Sequence, residues 1–137
     1  MINTIRPVLL IDDQRVHQPA KLFGSIEYPL QVEPTIYAMA NRLAASYQGG
    51  LWNLFVLTND GFYMAPSSDT PYVIASPNGF EGNMSADALG ITACLFAFSH
   101  LSFGEHALAE TCAEHYHRLR EYALSHSEVR AILAAID

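Results

Sequence analysis

Residues 112–126, "CAEHYHRLREYALSH", place one thiol and three imidazoles within a single short stretch. Such groups support two kinds of chemistry. They can ligate zinc, which takes thiolate sulfur and neutral imidazole nitrogen in a tetrahedral set. A thiol beside an imidazole can also become a nucleophile if its pKa is lowered. Cys112 and His115 stand at i and i+3, an acceptable half-site for a metal, and His100 or Cys94 from the preceding segment could complete it. A metal-dependent or thiol enzyme built on Cys112, His115 and His100 is therefore one reading of the chain.

That chemistry depends on which faces the residues occupy. On a helix advancing about 100° per residue, Leu108, Cys112, His115, Leu119 and Tyr122 share one arc, flanked by Ala109, Tyr116 and Ala123. Glu110, Glu114, His117 and Glu121 fall on the opposite side. His115 and His117 are then about 200° apart and cannot close on one metal, whereas on a strand they would share a face. The plainer reading makes His115 a core histidine hydrogen-bonded to a neighbour and Cys112 a small apolar filler. It outweighs the metal reading because no second compact ligand pair of C-x-x-C or H-x-x-x-H type anchors a site. A thiol on an apolar arc also keeps a raised pKa. The chain has no G-x-S-x-G elbow, phosphate-binding loop, G-x-G-x-x-G or H-E-x-x-H.

The remaining elements follow from punctuation and periodicity. Residues 1–33 carry Pro7, Pro19, Gly24 and Pro29 and read as an extended segment with one helical turn around Ala20 to Phe23; residues 1–22 form an N-terminal arm. Pro34 suits the start of a helix over 34–47 that stops at Gly49-Gly50. Three apolar runs follow, "LWNLFVLT", "FYMAP" and "YVIAS", separated by turn residues including Asn59-Asp60-Gly61 and followed by Pro77-Asn78-Gly79. They predict a three-stranded antiparallel meander.

Ser85 or Asp87 can cap the next helix. Its body, "ALGITACLFAFSHLSF", is apolar nearly all round but too short for the roughly 20 residues of a membrane span, so it is a buried central helix. Gly90 within it predicts a close backbone neighbour. A third helix is expected from Glu105 to Leu124, and a last from a Ser127 cap to Ala135. The whole reads as a single α+β domain over 1–137, a small three-stranded antiparallel sheet packed with about four helices.

At 137 residues, half of them hydrophobic and 15% charged, the chain can build one ordinary core. Fourteen acidic residues against seven basic ones give a formal charge of −7, which argues against a surface that neutralises nucleic-acid phosphates. The carboxylates are scattered, with Asp12-Asp13 the longest run, so they lack the density of a DNA mimic. Two cysteines inside apolar helical patterns imply reduced thiols and a cytosolic protein, and the N-terminal apolar run is too short for a secretory signal. The segment "SPNGFEGNMSAD" is the most polar connection. It gathers Glu81, Asn83, Ser85 and Asp87 between a strand end and a helix start, where functional groups often sit.

The stretches "GGLWNLFVLTNDGFYMAP", "FEGNMSADALGI", "SHLSF" and "AEHYHRLREYALSH" together resemble the ArdB/KlcA family of antirestriction proteins, from about Phe23 to the C-terminal "AILAAID". The resemblance implies a small α+β cytoplasmic protein, carried by mobile genetic elements, that alleviates type I restriction of incoming unmodified DNA. It implies no cofactor, no resident metal and no catalytic residues. The partner it implies is the host type I restriction-modification enzyme or a factor controlling it, without direct DNA binding and without a membrane. Combined with the residue reading, this predicts a binding inhibitor whose surface uses Glu81, Asn83, Ser85 and Asp87, with Tyr63 and Met64 on the neighbouring hairpin. Direct competition with DNA is the rival binding mechanism.

Overall fold

A computed structural model describes residues 4–104 and 107–137. Its elements run β1 (Pro7–Leu9), α1 (Gln14–Phe23), a π-helical turn (Tyr28–Val32), α2 (Glu33–Leu43), β2 (Trp52–Leu57), β3 (Phe62–Pro66), β4 (Tyr72–Ala75), β5 (Glu81–Met84), α3 (Ala86–Leu101), α4 (Ala107–Ala123) and α5 (Val129–Ile136). The α+β class is as expected. Two small antiparallel sheets replace the single meander, one ordered β1-β2-β3 and the other β4-β5.

The α3 helix is the centre of the molecule. Its residues from Ala86 to Phe98 are buried except Asp87 and Phe96, and it packs against α4, β3, α2 and α5. Ser85 caps it, accepting a hydrogen bond from the Ala88 N–H at 3.1 Å. Gly90 lies where α3 crosses β3; an added Cβ would overlap the Met64 carbonyl oxygen and Ala65, so the predicted backbone neighbour is β3. Cys94 completes the crossing. Its sulfur accepts the Met64 N–H at 3.5 Å and its S–H donates to the Met64 carbonyl at 3.7 Å, so polar backbone on this side of β3 is met by a helix side chain.

That crossing explains why β4 does not extend the first sheet. With α3 against β3, β4 pairs forward with β5 instead, from Tyr72 opposite Met84 to Ala75 opposite Glu81. The turn between them uses Gly79 at φ +94°. The segment read as a polar loop is thus largely a hairpin. The third place in the first sheet belongs to β1, which pairs Val8 with Val56.

The N-terminal arm is likewise corrected. It contributes a strand and a ten-residue helix, and α1 carries Pro19 and Phe23 into the core. Phe23 lies 5.5 Å from Phe62 and 5.6 Å from Phe98, ring centre to ring centre. Burying that ring contributes about 2–3 kcal/mol and offsets the low helix propensity of a segment with an internal proline. The π-helical turn joins α1 to α2. There the Glu33 N–H reaches the Tyr28 carbonyl, five residues back, just before Pro34, which has no N–H to give.

The faces assigned to α4 hold. Leu108, Cys112, His115 and Leu119 are buried, whereas Glu110, Glu114, His117 and Glu121 are exposed. The expected start of that helix at Glu105 lies outside the described residues. The last helix begins one residue later than expected, at Val129, with Glu128 and not Ser127 in the cap position.

Candidate functional site

The three groups of the alternative catalytic reading do not form a ligand set. His115 and Cys112 are buried on α4, His100 is exposed near the C-terminal end of α3, and Cys94 is engaged with the β3 backbone. Among the described residues no group of three or more His, Cys, Asp or Glu side chains converges as a metal site. Burial pushes the Cys94 thiol up to about 12 and the Cys112 thiol up to about 11, so neither is an activated nucleophile.

His115 departs from expectation in one respect: it is 2% exposed, yet its Nδ1 has no hydrogen-bond partner among the described residues. Its ring packs 4.5 Å from Phe23 and 5.9 Å from Phe98. Burial, reinforced by the Arg118 charge and opposed by Asp60, pushes its pKa down to about 4. It is a neutral aromatic filler.

The polar groups that the structure does bring together centre on Asp87, at the N-terminus of α3. One carboxylate oxygen accepts from the Tyr63 hydroxyl at 2.8 Å, and the other from His126 Nε2 at 2.8 Å. His126 Nδ1 accepts the Glu128 backbone N–H at 3.0 Å, which leaves Nε2 to carry the proton that it donates to Asp87. Burial pushes the Asp87 carboxyl up, but the hydrogen bonds from His126 and Tyr63, together with attraction to His126, outweigh it and hold the group below its ordinary value. Glu128 reaches back to the same helix terminus: it accepts the Ser85 N–H at 2.9 Å and the Ser85 hydroxyl. Burial, then the Asp87 charge and hydrogen bond, raises the Tyr63 hydroxyl far above its usual range, so it remains a donor.

Of the six expected contact residues, Glu81 and Asn83 are exposed on β5, two positions apart on one face of the hairpin, where Asn83 lies opposite exposed Val73. Ser85 and Asp87 are half-buried members of the hydrogen-bonded cluster. Tyr63 and Met64 are corrected: at 1% and 0% exposure they are core residues. On β3, Tyr63 stacks between Phe55 at 4.8 Å and Tyr122 at 5.8 Å, and only its hydroxyl reaches Asp87. A polar cleft of about 200 Å³ opens beside Asp87, walled by Asn53, Ser67, Ser68 and Asp69.

His126 and Glu128 were missed as members. The available signal was the polar Ser-His-Ser-Glu break between two helical patterns, but nothing local says which distant carboxylate or amide such a break will meet. Both His126 nitrogens are occupied and the Ser85 hydroxyl is bound to a carboxylate, so the cluster positions elements and offers no free base–nucleophile pair.

Fold and site together define a small α+β protein whose polar cluster ties β3 and the α4–α5 connection to the start of a central helix. The family model for antirestriction proteins matches residues 45–137. Antirestriction protein KlcA of Escherichia coli is 42% identical over 111 residues, covering 79% of this chain and 76% of its own. YafX of Escherichia coli K12, described as uncharacterized, is 41% identical over 140 residues, covering 98% of this chain and 88% of its own. A solved structure aligns with a TM-score of 0.90 at 36% identity, covering 99% of this chain and all of the other. Its description credits KlcA and ArdB with a novel fold and with antirestriction activity against Type I DNA restriction systems in vivo but not in vitro. The chain belongs to the antirestriction protein family, of the ArdB/KlcA type.

Proposed function

We propose that this protein alleviates type I restriction of incoming unmodified DNA as a non-catalytic inhibitor acting in the cytoplasm. It binds a protein of the host restriction system or a factor that controls it, and neither binds DNA nor imitates it. The contact surface is the outward face of β4–β5, with Glu81 and Asn83, continued by the rim of the Asp87 cleft. Ser85, Asp87 and Tyr63 hold that surface in place, whereas Met64 is a core residue whose sulfur accepts a hydrogen bond from the Tyr28 hydroxyl.

The observation that carries this reading is the Asp87 cluster, which anchors the start of α3, immediately after the hairpin, to β3 and to the α4–α5 connection. A rigid polar surface loses little conformational entropy on binding. Scattered carboxylates and a charge of −7 support a protein partner over DNA. That KlcA and ArdB act in vivo but not in vitro supports a target, or a required component, found in the cell beyond the isolated restriction enzyme.

The test is the plating efficiency of unmodified phage on a restricting host that expresses the protein. The double variant Glu81→Lys with Asn83→Lys is expected to lose protection by about tenfold or more while its melting temperature stays within a few degrees. Full protection by that variant refutes the surface. Salt-sensitive binding of duplex DNA by the purified protein would refute the protein-directed mechanism.

A further inference from the structure

At the other end of α3 an apolar groove of about 250 Å³ opens between that helix and the end of α2. Leu43 forms a buried floor, half-buried Met39 and Phe96 form the walls, and Phe103 stands at the mouth with 85% of its surface exposed. Arg42 and His100, both exposed, also line it. Among the described residues the lining includes no carboxylate, although the chain carries two acidic residues for every basic one. Arg42 forms no ion pair with any described residue.

Helix dipoles explain part of this arrangement. Arg42 and His100 lie in the last turns of α2 and α3, where a cation is favoured. The dipole gives no reason for a phenylalanine to stand in water beside them. The carbonyl ends are also partly bonded, Ala40 to the Ala44 N–H and Phe98 to the Ser102 N–H, whereas the exposed Arg42 guanidinium meets no carboxylate among the described residues. An exposed aromatic beside an apolar recess, with an exposed guanidinium at the rim, is the arrangement that anchors a protein contact.

The geometry points to a docking groove for a segment of a partner protein that presents an apolar side chain flanked by carboxylates. The apolar side chain enters between Met39, Phe96 and Phe103, and a carboxylate meets Arg42. Pro77 of the β4–β5 turn borders the groove, but the inference does not depend on the contact surface at Glu81 and Asn83.

The test is a titration of the ¹⁵N-labelled full-length protein with two blocked peptides, Ac-Gly-Asp-Phe-Leu-Asp-Gly-NH₂ and its counterpart with both Asp replaced by Lys. The acidic peptide is expected to shift the amide signals of Met39, Leu43, Phe96 and Phe103, and to bind about tenfold more tightly than the basic one. Arg42→Glu should reverse that preference, and Phe103→Ala should weaken the acidic peptide about fivefold or more. Both positions are exposed, so the variants should fold, which unchanged amide spectra away from the groove will show. Absence of shifts in the groove, shifts centred elsewhere, or equal binding of the two peptides overturns the proposal.

Discussion

His115 is a base enclosed by aromatic rings, and the enclosure has a consequence in acid. In the unfolded chain it titrates near the ordinary 6.5; in the fold burial holds it at about 4. Between those values the unfolded state binds the extra proton, so stability falls as pH drops through that window and the loss is complete below about 4. The full effect is on the order of 3 kcal/mol. His115→Leu should flatten the dependence of unfolding free energy on pH between 6.5 and 4, measured by urea denaturation; an unchanged slope would place the acid sensitivity elsewhere. Asp87 works in the other direction. Its carboxyl lies below the ordinary 3.8, so its contribution is present above that value and is lost only as pH falls through the lower folded value. Asp87→Ala leaves the half-buried His126 donor and the buried Tyr63 hydroxyl short of their acceptor, and should cost about 1–3 kcal/mol in the same measurement at neutral pH. Gly90→Ala tests packing against propensity. Alanine favours a helix by about 1 kcal/mol, but here its Cβ meets the β3 backbone, so a net loss of about 1–3 kcal/mol is expected from thermal melting.

At the scale of elements, α5 and the β4–β5 hairpin hold each other. The Ser76 hydroxyl donates to the Ala135 carbonyl, and Asn78 Nδ2 donates to the Ala134 carbonyl at 2.8 Å, so hairpin side chains satisfy carbonyls at the end of α5 that the helix itself cannot. At the other end Glu128 binds Ser85. The double variant Ser76→Ala with Asn78→Ala should therefore speed amide hydrogen exchange across α5 while α3 stays protected. Uniform exchange behaviour would mean that α5 opens only with the whole molecule. The helices were legible because a buried arc on α4 and an apolar body on α3 are local patterns. Three of the five strands, β2, β3 and β4, were legible as segments, but not their partners, and β1 and β5 were read as arm and loop. The runs at 52–57, 62–66 and 72–75 were found, yet which edges meet was decided by α3 lying against β3, a contact distant in sequence.

At the scale of the whole molecule, the N-terminal segment is part of the body. Phe23 stands among Tyr28, Phe62, Phe98 and His115, so Phe23→Ala should cost about 3–5 kcal/mol in denaturant melts. A loss under about 1 kcal/mol would return the segment to the status of an arm. Prolines and a glycine marked this region as irregular because each acts on its own few residues. The burial that overrides them is supplied by α3, α4 and β3, none of which is local to it. By itself the sequence determined the α+β class, the faces of α4, the buried α3 with its close neighbour at Gly90, and, through the family motifs, the antirestriction assignment. Tertiary structure alone decided that β1 takes the third place in the sheet, that the polar loop is a hairpin, and that Tyr63 is buried with only its hydroxyl on Asp87. It also decided that His126 is hydrogen-bonded through both ring nitrogens whereas His115 Nδ1 meets no partner among the described residues. The physical reason is range: periodicity and caps act within one or two turns, whereas a carboxylate's partners are whichever donors packing brings to it.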